Sequence, residues 1–199
     1  MVKAVAPYGI RGVIWYQGES DGDTHPETYE TLFPALIADW RRLWGRELPF
    51  LFVQLAPFER WMQCTGERYG IVRAAQQHTA DTVPGTAMAV TTDVGMQYDI
   101  HPKKKQPVGR RLALLAENKV YGEKDVLCEA PALTGLTVAD GALTLTFAHA
   151  GARLTLAPAA PDGTPFAPGF FSGVQVWQSG AALDAAALTA WAAGDTVTL

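Results

Sequence analysis

The stretch Gly12-Val13-Ile14-Trp15-Tyr16-Gln17-Gly18-Glu19-Ser20-Asp21 limits the fold more than any other part of the chain. Val13 to Tyr16 is apolar and rich in β-branched and aromatic residues, the composition of a buried strand. It breaks at once into Gln17-Gly18-Glu19-Ser20-Asp21-Gly22-Asp23, a polar loop with an amide, a hydroxyl and three carboxylates. A strand that feeds a polar loop with a helix behind it is where α/β sheets place their chemistry.

The helix behind the loop is expected from about Thr24. Thr24 and Glu27 have capping-box spacing, with Pro26 in the tolerated first turn. Tyr29, Leu32, Phe33, Leu36, Ile37, Trp40 and Leu43 then trace one buried helical face. Pro34 predicts a kink or a late start, and Arg41, Arg42 and Arg46 suit the C-terminal end of the macrodipole. Residues 49–56, nearly all apolar, read as a strand covered on both faces. A second helix is expected over about Glu67–Thr79, burying Ile71, Val72 and Ala75. A third strand is expected over Thr86–Thr92. After the loop Asp93–Gln106 comes a helix through Val108, Leu112, Leu115 and Ala116. Strand and helix alternate to about residue 120, the pattern of a parallel sheet with helices on both faces, three layers joined by right-handed crossovers.

The texture changes near Gly122. Leu143–Phe147, Leu154–Leu156 and Val174–Trp177 alternate apolar with polar. Turn pairs separate them: Asp140-Gly141, Asp162-Gly163, Pro168-Gly169 and Gly194-Asp195. Short antiparallel strands follow, and Ala181–Ala193 is either a short helix or a loop. The expected organisation is an α/β part over 1–121 and a small β-rich region over 122–199.

A second polar cluster, Asp93-Val94-Gly95-Met96-Gln97-Tyr98-Asp99-Ile100-His101-Pro102, follows the third strand. A parallel sheet places its strand C-termini on one side, so this loop and the Gln17 loop are expected at the same edge. A carboxylate two residues from an imidazole can hold its Nδ1 hydrogen and leave Nε2 as a base. Asp99 is the nearer partner for His101; Asp93, which ends the strand, is the alternative. Trp61 and Met62, with Arg60 and Tyr69, either line a ligand pocket or pack.

Composition narrows the partners. The 199 residues carry a net charge of -4, so there is no basic footprint for nucleic acid. No apolar run is long enough for a membrane-spanning helix, and residues 1–7 lack the apolar core of a secretory signal. Cys64 and Cys128 lie far apart and are expected as free thiols. His25, His78 and His149 have no metal-ligand spacing, so no metal is expected.

Several blocks taken in order resemble one family. They are residues 13–21, Phe33 with Asp39-Trp40-Arg41, Pro49-Phe50 with Val53-Gln54-Leu55-Ala56, Arg73-Ala74-Ala75-Gln76, and the run from Asp99-Ile100-His101-Pro102 to Ala113. Together they look like the sialate O-acetylesterase family, a carbohydrate-esterase branch of the SGNH (GDSL-like) hydrolases, over about residues 6–120.

The resemblance implies a serine esterase that removes acetyl groups from sugar hydroxyls without a cofactor. His101 would be the general base and Asp99 its orienting partner. Gln17 would donate its amide to the oxyanion hole, Gly18 would let backbone approach substrate, and Glu19 would hold the loop, through an arginine. Lys103–Lys105 with Arg110 and Arg111 either attract a sugar carboxylate or are a solvated helix start. An acetylated sugar is the expected partner, and the full-length protein is expected to be secreted, periplasmic or lysosomal.

The family's nucleophile is a serine in a Gly-Gln-Ser-Asn-like block upstream of the Gln17 block. The three serines here are Ser20, Ser172 and Ser179. A piece of a longer protein is therefore expected, inactive by itself. Two rivals stay open. One is a sugar-binding or interaction module that keeps the fold without catalysis. The other is an α/β-hydrolase in which Ser20, in Gly18-Glu19-Ser20-Asp21-Gly22, sits on a nucleophile elbow.

Overall fold

The computed structural model describes residues 2–6, 8–157, 177–178, 181–182 and 188–199. The chain divides into two compact units, Met1–Glu129 and Ala130–Leu199. Residues 121–129, past the change of texture, are tied to the first unit. Asn118 Nδ2 donates to the Lys124 and Val126 carbonyls at 3.2 and 3.0 Å, and Lys119 Nζ lies 3.0 Å from Glu129 Oε2.

The first unit runs α1 (Val2–Val5), β1 (Val13–Trp15), α2 (Glu19–Thr24), a 3-10 turn (Pro26–Thr28), α3 (Tyr29–Trp44), β2 (Phe50–Val53), β3 (Arg60–Trp61), β4 (Cys64–Thr65), α4 (Tyr69–Thr82), β5 (Thr86–Ala89), α5 (Lys105–Leu115) and a π-helical turn (Ala116–Val120). β1, β2 and β5 form a parallel sheet in that order, with Val13 opposite Phe50 and Phe50 opposite Thr86. α3 and α4 pack on one face, around Phe33, Ile37, Phe50, Phe52, Leu55, Tyr69 and Val72. α5 packs on the other, where Val108, Leu112 and Leu115 meet Leu51, Val53, Ala87 and Ala89. The expected three layers are present.

All four residues of β2 are buried because helices cover both faces of this central strand. Each large side chain so buried contributes about 1.5–3 kcal/mol. The α3 face adds an aromatic lattice. Phe33 meets Phe52 edge-on at 5.0 Å, and Trp15 meets Trp40 edge-on at 5.8 Å.

β1 departs from its expected full burial. Val13 faces the core, yet Ile14 is 68% exposed. β1 is an edge strand among the described residues, and α5 covers β2 and β5 on the Ile14 face. In α4 the buried face is Tyr69, Val72, Ala75, Gln76 and Thr79, whereas Ile71 is 42% exposed. Ile71 lies one position off the buried stripe, which an apolar-only periodicity misses because this helix buries an amide and a hydroxyl.

The start of the helical region also differs. A helix begins at Glu19, so the Gln17–Asp23 stretch is largely α2 rather than loop. Thr24 ends α2, and its hydroxyl donates to the Ser20 carbonyl at 2.8 Å instead of capping a following helix. Glu27 pairs with Arg68. Pro34 is tolerated inside α3 because the carbonyl it leaves without a donor, that of Glu30, lies in the exposed first turn.

The second unit contains β6 (Ala132–Ala139), β7 (Ala142–Ala148), β8 (Trp177–Gln178), β9 (Ala181–Ala182), β10 (Trp191–Ala193) and β11 (Thr196–Thr198). The antiparallel order is β10-β11-β7-β6, with β8 paired to β9. Asp140-Gly141 and Gly194-Asp195 make the turns expected of them. Leu154–Leu156 is not a strand, though the Leu154 N–H donates to the Gly194 carbonyl at 2.7 Å. The turn pairs Asp162-Gly163 and Pro168-Gly169, and Val174–Val176, lie outside the described residues. Ala181–Ala193 contains β9 and β10 where a helix or loop was expected, and residues 183–187 lie outside the described residues.

Candidate functional site

Parallel pairing sends the C-terminal ends of β1, β2 and β5 to one edge of the sheet. Three segments leave that edge: Tyr16-Gln17-Gly18 after β1, the β3–β4 hairpin after β2, and the loop 90–104 after β5.

The Gln17 peptide is held from the core. Its carbonyl accepts from the Tyr29 hydroxyl at 3.0 Å and from Gln76 Nε2 at 3.4 Å. Gln76 is fully buried. It also accepts the Leu55 N–H at 2.8 Å and donates to the Val53 carbonyl at 3.3 Å, locking the end of β2 to the end of β1. Buried amides persist where their groups are paired. The Gln17 side chain donates Nε2–H to Asp21 Oδ2 at 2.5 Å. That bond fixes which end of the amide is nitrogen and leaves the second N–H of the group for another acceptor.

Gly18 has φ 143°, open to glycine alone, and is buried. A Cβ there would stand 3.2–3.3 Å from Val72 and Leu55. The close approach it makes within the structure is to the core. Glu19 is held by its backbone: the Tyr69 hydroxyl donates to its carbonyl at 3.2 Å. Its carboxylate makes no ion pair with an arginine among the described residues. Burial, and then the Glu19 charge, push the Tyr69 and Tyr16 hydroxyls above their ordinary pKa.

The His101 loop is built differently. Asp99 Oδ1 accepts the His101 backbone N–H at 2.9 Å and lies 3.1 Å from its Nδ1. The backbone bond first, then the imidazole, hold the Asp99 carboxyl below the usual carboxylate range. Lys103 Nζ sits 3.8 Å from Asp99 Oδ2. The imidazole is 70% exposed, and Trp61 packs on it at 87° with ring centroids 5.1 Å apart. Asp93 is engaged elsewhere. Arg111 clamps it with two bonds of 2.6 and 2.7 Å and also donates to the Val90 carbonyl at 2.8 Å. That clamp is the main reason the Asp93 carboxyl titrates below its ordinary value.

Three contacts connect the segments. Lys105, four residues after His101, places its ammonium 4.7 Å from the ring centre of Tyr16, the neighbour of Gln17. In the hairpin, Trp61 lies on His101, while its cross-strand partner Cys64 lies beside the Asp23 carboxylate of α2.

Ser20 lies on α2, exposed, with no hydrogen bond to His101 among the described residues. An elbow nucleophile sits at a strained turn straight after its strand. Here four residues, 16–19, separate Ser20 from the end of β1, and the positive φ falls on Gly18. Ser172 and Ser179 lie outside the described residues.

Sequence reading assigned no role to Asp21 or Gln76, expected Tyr29 only as part of a buried helical face, and offered Arg111 for a sugar carboxylate or a solvated helix start, where the structure has it clamping Asp93. Gln76 carried a usable signal, a polar residue at helical spacing on an otherwise apolar face.

Residues 1–116 match the family described as carbohydrate esterase, sialic acid-specific acetylesterase. A mouse (Mus musculus) sialate O-acetylesterase is 34% identical over 168 residues, covering 74% of this chain and 30% of its own length. The human protein of the same name is 34% identical over 155 residues, covering 66% and 28%. The crystal structure of a carbohydrate acetylesterase from Xanthomonas citri superposes with a TM-score of 0.73 at 33% identity, over 98% of this chain and 43% of that one. The chain thus spans under a third of the curated relatives' length. With more than half of its residues matched, the chain belongs to the sialic acid-specific acetylesterase family of carbohydrate esterases.

Proposed function

We propose that this chain carries the base and oxyanion-donor portions of a carbohydrate O-acetylesterase site. The observation that carries the reading is the Asp99–His101 pair, with Nδ1 3.1 Å from the carboxylate, on a loop from the same sheet edge as Gln17. Asp99 holds the Nδ1 hydrogen, so the lone pair on Nε2 is directed outward as general base. Gln17 directs its second amide N–H at the oxygen that becomes negative when the acetyl carbonyl is attacked. One such donor is worth about 3–4 kcal/mol of barrier. Asp21 keeps that amide from flipping, and Gly18 and Glu19 hold the turn that presents it. The substrate is an acetyl ester on a sugar hydroxyl, and the products are acetate and the free alcohol.

Acyl transfer proceeds through a serine ester and then water. Ser20 makes no hydrogen bond to His101 among the described residues, so the reading takes the nucleophile from the serine block that the family carries upstream of the Gln17 block. The test is an assay on an activated acetyl ester and on acetylated sugars. It uses the 199-residue chain, its Ser20→Ala variant and a form extended upstream in frame. Activity in the extended form, lost in its His101→Ala variant, supports the reading. Strong activity in the short chain that vanishes in Ser20→Ala overturns it in favour of an elbow at Ser20.

A further inference from the structure

We propose that Trp61 is the positioning residue for His101, and that the β3–β4 hairpin exists in part to hold that indole against the imidazole. The inference rests on His101 being the base and adds the element that sets its orientation.

The need for such an element comes from exposure. The imidazole is 70% exposed, and Asp99 meets it at one atom, Nδ1. A single contact to one ring nitrogen leaves the ring free to pivot about that bond. An exposed His–carboxylate pair is by itself a weak restraint. The indole supplies a second contact on a different part of the ring. At 87° and 5.1 Å the two rings are edge to face, the preferred arrangement of aromatic pairs. One contact fixes a ring atom and the other fixes the ring plane, so together they define where Nε2 points.

The indole restrains only if its own backbone is fixed relative to the His101 loop, and it is. The Glu59 and Arg60 N–H groups both donate to the Gln97 carbonyl, at 3.0 and 3.2 Å. Gln97 Nε2 donates back to Glu59 Oε2 at 2.6 Å. At Gly95 a Cβ would fall 2.0 Å from the Pro57 carbonyl, so only glycine lets the two segments lie this close. Arg60 adds a cation–π contact to Tyr98 at 5.9 Å. These bonds run between the base of the hairpin and the loop 95–98, and none involves Asp99. Trp61 and Asp99 therefore hold the imidazole through separate supports.

The test reads the ring itself, by aromatic and ring-nitrogen NMR of the 199-residue chain. Spectra are taken near pH 8.5, about two units above the ordinary imidazole pKa, with His101 assigned through His101→Gln. In the wild type His101 is expected to show indole ring-current displacement and a single tautomer with the hydrogen on Nδ1. Trp61→Leu should lose the displacement and average the tautomers, while His25, His78 and His149 stay in place as controls of folding. Trp61→Phe should keep the single tautomer. Unchanged His101 signals in Trp61→Leu overturn the proposal. So does a wild-type His101 with averaged tautomers and no displacement, which settles the matter even if the leucine variant does not fold. The readout is orientation and not turnover. A failed esterase assay leaves it standing, and a failed spectrum leaves the esterase reading standing.

Discussion

The two ends of the candidate site are built by opposite means. The Gln17 peptide is held by groups far away in sequence: Tyr29, twelve residues on, and Gln76, fifty-nine residues on, the second wholly buried. His101 is held by Asp99, two residues before it, and by an indole on a surface hairpin. The first end shares its hydrogen bonds with the core, so disturbing it disturbs the fold. The second stands on the surface, where side chains can be exchanged at little structural cost. A donor that must meet a developing charge gains from rigid preorganisation. A base that takes and returns a proton gains from access to solvent and substrate.

The sharpest way to break this contrast is His101→Ala in a form of the protein that has esterase activity. Loss of a general base is expected to lower kcat/KM by about 10²–10⁴-fold. Stability measured by urea unfolding should change by less than about 0.5 kcal/mol, as for surface substitutions generally. A large loss of stability would show that this end also belongs to the core.

Gln76→Leu should do the reverse, through stability first. It leaves the Leu55 N–H without its buried acceptor and takes one donor from the Val53 and Gln17 carbonyls, the second of which keeps the Tyr29 hydroxyl. The expected cost is about 2–4 kcal/mol, from an unsatisfied buried donor together with weakened acceptors, read as a lower urea midpoint with unchanged slope. Gly18→Ala should cost about 1–3 kcal/mol, because alanine disfavours φ 143° and its Cβ presses on Val72 and Leu55.

Asp93→Asn is the smallest expected effect and separates the two aspartates. The clamp to Arg111 lowers the Asp93 pKa in the folded state. Its stabilisation is therefore complete above the ordinary Asp value of about 3.9 and fades as pH falls through the lowered folded value. The side chain is 54% exposed, so after solvent screening the loss at neutral pH should be about 0.5–1 kcal/mol. Unfolding curves of variant and wild type should differ at pH 7 and converge only as pH falls below the lowered folded value of Asp93. If the pH dependence is the same in both proteins, the clamp is not the source.

The strand–helix alternation, the three layers and the two polar segments at one sheet edge were legible in the chain. Each is a local pattern: apolar runs, helical periodicity and breaks at glycine or proline. The Asp99–His101 contact was legible for the same reason, since both partners lie within one turn of loop. What the one-dimensional pattern could not contain is everything that joins distant segments. Gln76 under Gln17, Arg111 on Asp93 and Trp61 on His101 each join residues eighteen or more positions apart. Ile14 reads as apolar core, yet it is exposed because, among the described residues, β1 is an edge strand and no helix covers that face of it. Periodicity records which side of an element faces inward; which neighbour waits there is decided when the sheet assembles and the helices cross over it. The sequence alone determined the elements and the chemistry at their ends. The tertiary structure decided which end is clamped to the core and which is left exposed, because only packing brings a buried amide to one and a surface indole to the other.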